Sequence, residues 1–289
     1  MCDERGLANW AHGKLTRRTF GGSAIAFGAV ACAATEPSAS GGGAAQALAE
    51  HAVTFAGPEG TMDGLFIYPA AGRHPAIILW PDIGGIRPAK REMARRLAGE
   101  GYAVLLANPY YRDVAGQQFE DFADFAGNGG WDSVKPWRSR FTAETIRVDT
   151  VACAEWLAEQ AAVDSDRGIG VQGYCMTGSF ALLAPWASDR VAAGASFHGG
   201  GLVRDSETSP HRLLRADAHY LVAIARNDHE RAPGDAPALE EAARAAGTDA
   251  EIEVYAADHG WCVPDSPAYD QAEAERAWAR LLATYAEAL

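Results

Sequence analysis

The sequence predicts an α/β protein: one doubly wound domain with a mostly parallel central sheet and helices on both faces. Three observations point there. Short uninterrupted apolar runs recur, such as Ala76-Ile77-Ile78-Leu79-Trp80, and suit strands buried on both sides. Longer stretches with helical spacing separate those runs. The alternation continues over roughly 240 residues without an internal repeat.

The elements follow in order. Ala52-Val53-Thr54-Phe55 and Leu65-Phe66-Ile67-Tyr68 read as short strands, with turn chemistry between them at Gly57-Pro58-Glu59-Gly60. The run 76–80 is a buried strand ended by Pro81. Residues 88–100 are helical, with Met93 and Leu97 four apart and Gly101 closing the helix. Further strands are expected at 103–107, 168–172, 192–197, 220–225 and 251–255. Helices are expected at 142–159, 178–187 and 237–246. A final amphipathic helix spans 270–289, with Trp278, Leu281, Leu282 and Tyr285 on one side. Residues 110–140 are aromatic, Gly-rich and irregular, as loops that build sites at a sheet end are.

Composition removes several functions. The 289 residues are 48% hydrophobic and 22% charged, which excludes fibrous and wholly disordered chains. There are 25 Lys+Arg against 38 Asp+Glu, a formal net charge of -13 that repels nucleic acid. The five cysteines form no CxxC pair and no dense framework, so a disulfide scaffold is not expected. No HExxH or paired His/Asp spacing occurs, and neither a metal nor a cofactor is expected. Gly168-Ile169-Gly170-Val171-Gln172-Gly173 imitates a dinucleotide fingerprint, but its glycines lie within a strand rather than after one.

The first residues read as an address. Arg17-Arg18 and Phe20 precede an uncharged Ala/Gly run from Gly21 to Thr35, and a small-residue linker follows from Ser38 to Ala47. The pattern resembles a twin-arginine signal, which implies the twin-arginine (Tat) export machinery as a partner and a periplasmic destination. Residues 1–47 are thus the expected leader and linker, and 48–289 the domain. Ala45-Gln46-Ala47 suits cleavage; Cys32, after Ala29-Val30-Ala31, offers a poorer lipoprotein alternative. Losing 1–47 removes four basic residues (Arg5, Lys14, Arg17, Arg18) and three acidic ones (Asp3, Glu4, Glu36), leaving the body slightly more acidic.

The chemistry is expected at three strand ends. Gly173-Tyr174-Cys175-Met176-Thr177-Gly178 leaves a strand and enters a helix, a sharp corner that presents Cys175 beside a helix N-terminus. A thiol nucleophile needs a base, and the base an orienting acid. The strand 220–225 runs into Asp228, and 251–255 runs into His259. Cys175, Asp228 and His259 therefore stand in nucleophile–acid–histidine order. His198-Gly199-Gly200-Gly201 lets backbone crowd the pocket floor and places His198 near the site.

With these residues the chain resembles the dienelactone hydrolase (carboxymethylenebutenolidase-like) family of α/β-hydrolases, over about residues 50–289. The pieces that carry it are Gly173-Tyr174-Cys175, Phe197-His198-Gly199-Gly200, Asp228, and His259-Gly260-Trp261-Cys262-Val263-Pro264-Asp265. The resemblance implies the α/β-hydrolase fold and hydrolysis of small lactones or esters through an acyl-enzyme on Cys175. It implies His259 as base, Asp228 as orienting acid, and an oxyanion hole from the N–H groups of Met176 and Ile83. The family elbow carries a second Gly where Thr177 stands, and a Glu where Asp82 stands. That carboxylate holds and helps deprotonate the resting thiol in the family, so Asp82 is the expected activating group. Family substrates often carry a carboxylate, for which Arg112, Arg138 and Arg140 are the candidate partners. Tyr174, His198 and Trp261 are expected at the substrate, and Trp131 and Trp137 offer further apolar wall. A monomer or small homo-oligomer is expected. Two alternatives stay open: a non-catalytic module that captures carboxylated ligands, and a thiol transferase or redox protein using Cys175 with Cys262.

Overall fold

In the computed structural model, which describes residues 4–20 and 47–289 (15–20 by backbone alone), the apolar runs form one 8-stranded sheet. Strands β1 (Leu48–Gly57) and β2 (Gly60–Pro69) make an antiparallel hairpin, longer than the two short strands expected, and open the sheet. Then come β3 (Ala76–Trp80), α2 (Pro88–Gly99) and β4 (Ala103–Ala107). β5 (Ile169–Tyr174), β6 (Val191–Phe197), β7 (His219–Ala225) and β8 (Asp249–Tyr255) complete it. The order is β1-β2-β4-β3-β5-β6-β7-β8, antiparallel up to the β2–β4 pairing and parallel from β4 onward. This is the α/β-hydrolase fold.

Helices cover both faces. One core layer packs α2 and α9 (Gln271–Ala288) on the sheet through Met93, Leu97, Leu281 and Tyr285. The other packs α5 (Ala143–Ala158) and α6 (Gly178–Ala187) through Cys153, Leu157, Phe180 and Leu183. The central strands are apolar at nearly every position because both faces are covered, which removes any polar alternation. Gly170 sits within β5 because a Cβ there would stand 2.6 Å from Ile77 and 2.7 Å from Tyr285. The fingerprint-like glycines of this strand thus answer to packing.

Residues 110–140 are less irregular than expected. They hold α3 (Phe122–Gly127) and α4 (Gly130–Arg138), short helices tied by an aromatic cluster of Phe119, Phe122, Phe125 and Trp131. Helix α7 (Arg226–Arg231) directly follows β7, and α8 (Asp235–Ala246) precedes β8.

The N-terminus brings a further difference. Residues expected as part of the leader form α1 (Glu4–Phe20), which packs on α3. Ala11 is fully buried there, and Trp10 lies 6.3 Å from Phe122. The side chains of Arg17 and Arg18, and all of residues 21–46 with Cys32 and Ala45-Gln46, lie outside the described residues.

Candidate active site

The parallel strands β5, β7 and β8 end on one edge of the sheet, and each releases one reactive side chain there. Cys175 opens the turn after β5 with φ of 55°, a left-handed conformation that a non-glycine residue holds only when its surroundings force it. Two local features force it. A Cβ on Gly173 would come within 2.0 Å of the Thr177 carbonyl oxygen, so only glycine admits so tight a turn. The Thr177 hydroxyl accepts from the Tyr174 N–H at 2.9 Å and lies 2.9 and 3.1 Å from the carbonyl oxygens of Pro81 and Trp80. Thr177, where a second glycine was expected, therefore ties the elbow to the end of β3.

Asp228 and His259 meet across the ends of β7 and β8. His259 Nδ1 and Asp228 Oδ2 are 2.5 Å apart, so Nε2 is the ring nitrogen left to face the cavity. The Asn227 side chain accepts the His259 N–H at 2.9 Å and fixes the loop. A thiol or ring atom from each of Cys175, His198 and His259 lies within 4.8 Å of the others. All three line a cavity of about 270 Å³ with Asp82, Ile83, Phe122, Asn227, Arg231, Asp258 and residues 266–268.

Ile83 follows β3 and Met176 follows Cys175, so the two N–H groups expected as donors stand on neighbouring strand ends. Tyr110 joins them: its hydroxyl donates to the Ile83 carbonyl at 2.9 Å and lies 3.7 Å from Met176 Sδ. Burial pushes its phenol well above the ordinary range, so it remains a donor. Sequence reasoning missed Tyr110, because a buried aromatic after a strand looks like ordinary core.

The expected activating carboxylate has a different setting. Both Asp82 oxygens are taken, by Arg87 at 2.7 and 2.9 Å and by Lys90 at 2.9 Å. Arg87 also binds Asp265 at 2.7 and 2.9 Å. Burial works to raise the Asp82 carboxyl, but Arg87 and Lys90 outweigh it and hold it well below the usual carboxylate range. Asp82 lines the cavity as a committed anion rather than as a proton acceptor.

The substrate residues divide. Arg112 is 3% exposed at its side chain and bidentate to Asp149 (2.6 and 2.8 Å), with Glu59 at 2.7 Å, so it braces the fold. Arg140 is paired with Asp113. Arg138 faces a separate cleft behind Met176, shared with Arg204. Tyr174 points away, stacked on Phe197 and under Lys90. Trp261 is buried behind His198, and Trp131 and Trp137 belong to the aromatic clusters of α3 and α4. Cys262 lines another hollow with Met93 and Trp278, and burial pushes its thiol up to about 12. Only His198, of the six residues expected at the substrate, lines the cavity. The cation there is Arg231, which sequence reasoning missed because it sits on a helical turn after Asp228 rather than in the loop-rich segment.

Gly6 and Leu7 of α1 also line the cavity, so this helix forms part of its mouth. A chain beginning at residue 48 is expected to show Cys175 alkylated several-fold faster by iodoacetamide than in the full chain. Equal rates would mean that α1 does not shield the thiol.

Comparisons with known proteins follow the same lines. The "Dienelactone hydrolase family" model matches residues 62–289. A carboxymethylenebutenolidase of Pseudomonas sp. (strain P51) is 26% identical over 214 residues, covering 74% of this chain and 85% of that protein. A dienelactone hydrolase-like promiscuous phosphotriesterase from metagenomic libraries superposes with a TM-score of 0.69 at 21% identity, over 84% of this chain and 99% of that one. A dienelactone hydrolase from Anabaena variabilis gives 0.59 at 19%, with the same coverage.

Proposed function

The chain belongs to the dienelactone hydrolase family and is a lactone or ester hydrolase, and from that premise we propose that Cys175 is its nucleophile. The convergence of Cys175, His259 and Asp228 from three strand ends is the observation that carries this reading. His259 Nε2 takes the thiol proton, and Sγ attacks the acyl carbon. The tetrahedral oxyanion sits against the N–H groups of Met176 and Ile83, donors worth about 10²–10³ in rate each. His259 returns the proton to the departing alkoxide, which leaves the acyl-enzyme. Water, deprotonated by His259, then attacks that thioester and releases the acid and the thiol. Asp228 holds the imidazole in the tautomer and orientation both half-reactions need. Asp82 serves by position: its Oδ1 accepts the Gly84 N–H at 2.9 Å and so shapes the loop carrying Ile83.

Intact-mass trapping with a lactone and activated-ester panel tests the mechanism. An adduct of acyl mass on the wild-type chain, absent in Cys175→Ser, is expected; turnover with no adduct sensitive to that change would refute a cysteine acyl-enzyme.

A carboxylated substrate is the class the cavity suits, because Arg231 offers it a cation on an otherwise acidic protein. Arg231 is about half exposed and lies 3.4 Å from Asp228, which moderates its pull. Arg231→Gln is expected to raise KM for carboxylated lactones about threefold to tenfold, with KM for neutral esters and kcat little changed. Steady-state kinetics on matched acid and ester pairs would show it.

Residues 1–47 are proposed to be a twin-arginine export leader with a periplasmic product. Cell fractionation checks this: replacing Arg17 and Arg18 by lysine should leave the protein in the cytoplasm.

A further inference from the structure

The sequence contains no metal-ligand spacing, yet three donor side chains meet in the catalytic cavity. Cys175 Sγ and one ring nitrogen each of His198 and His259 lie within 4.8 Å of one another. They arrive from the ends of β5, β6 and β8, so their positions in the chain show no regular interval.

His198 is the informative member. It is 2% exposed, and neither ring nitrogen has a hydrogen-bond partner. Buried polar atoms are usually paired, because each one left unpaired forgoes a hydrogen bond it would make in water. Its backbone is also left-handed, with φ of 41°; among the described non-glycine residues only Cys175 shares that. The ring stands edge-on to His259 with centroids 4.5 Å apart, backed by Trp261.

We propose that Cys175, His198 and His259 form a three-ligand site for a thiophilic divalent cation, zinc foremost, whose binding reversibly shuts off the enzyme. Thiolate and imidazole are the ligands zinc prefers, at about 2.3 Å and 2.0–2.1 Å. Tetrahedral geometry sets ligand separations of roughly 3.3–3.8 Å, so a shift of about one ångström closes the site. Asp228 on Nδ1 presents the His259 Nε2 lone pair outward, as a carboxylate behind a metal-bound histidine does. On binding, Cys175 releases its thiol proton to solvent, Sγ and two ring nitrogens bond the ion, and nothing is oxidised or reduced. The fourth position faces the cavity and takes a water. The loss of activity rests on the reading of Cys175 and His259 as nucleophile and base; the binding does not.

The test is calorimetric titration of the full chain with zinc chloride, with cobalt(II) spectroscopy alongside. The other such grouping among the described residues, His219, Asp249 and Glu287, is removed by a His219→Ala background. One zinc per chain is expected, together with a sulfur-to-cobalt charge-transfer band that Cys175→Ser abolishes. His198→Asn and His198→Gly both tolerate the left-handed backbone, and each should weaken zinc at least tenfold while melting as the parent does. Should one variant fail to fold, the other carries the comparison. Unchanged affinity in the folded His198 variants, or no zinc bound by the parent, overturns the site. Because binding is read without substrate, a hydrolase that ignores zinc refutes this inference alone. A zinc-binding chain without an acyl-enzyme refutes only the catalytic assignment.

Discussion

Cys175→Ala is expected to lower turnover of lactones and activated esters by about 10⁴–10⁶-fold, while the protein stays folded. The size follows from how the triad acts. In the proposed mechanism the thiol forms the covalent bond, so His259 and Asp228 have nothing to activate once it is gone. What remains is substrate binding and the two N–H groups, which by themselves give about 10³–10⁴ over water. His259→Ala should bring a comparable loss, and the double variant should be hardly worse, because the pair acts as a unit. The measurement is kcat on purified variants, with melting curves to confirm the fold. Retained turnover in Cys175→Ala would end the nucleophile assignment.

Asp82→Asn is expected to act on stability first, by about 3–5 kcal/mol, or a fall of roughly 6–20 °C in Tm. Arg87 and Lys90 have fully buried side chains, and Asp82 is the carboxylate between them. Asparagine keeps the shape but removes the charge. Asp265 can still pair with Arg87, whereas Lys90 loses its carboxylate and keeps the Tyr174 ring 4.1 Å away. The pH dependence has a definite sign. The folded Asp82 carboxyl lies below its unfolded value, so its contribution is fully present above about pH 4 and is lost as the pH falls further. The gap in Tm between wild type and variant should therefore be constant at neutral pH and shrink in strong acid. If Asp82 served chiefly to activate the thiol, the variant would melt normally and lose kcat.

Much of the fold was legible because burial on both faces writes itself into composition. The runs 76–80 and 103–107 need apolar residues throughout, and the sequence shows it in both. Helix α2, with Met93 and Leu97 buried, and the closing helix α9 follow from 3.6-residue spacing. Helices α3 and α4 were not legible. They are short, and what holds them is a cluster of aromatic rings with Ala11 of α1 against it, contacts with no local periodicity.

The meeting of Cys175, Asp228 and His259 was legible for a different reason. A parallel sheet aligns its strand ends, so a reactive residue just past each of three strands comes to one edge whatever the connections do. Cys175, Asp228 and His259 needed only that rule. The lesser partners obey no such rule. Arg112 looked like a substrate cation in its loop, but its position beside Asp149 is a long-range pairing. Arg231 was singled out by no pattern in the sequence, and tertiary packing turned it into the cavity.

By itself the sequence determined the α/β class, the sharp turn that carries Cys175, and the meeting of Cys175, Asp228 and His259 at one sheet edge, because each depends on local pattern plus one topological rule. Tertiary structure alone decided how the charges are spent. It closed Asp82 between Arg87 and Lys90, put Thr177 to work as a clasp, and left the His198 ring nitrogens without a hydrogen bond beside Cys175 and His259. A buried charge or ring nitrogen takes its chemistry from whatever shares its few ångströms of low-dielectric space, and those neighbours come from distant parts of the chain.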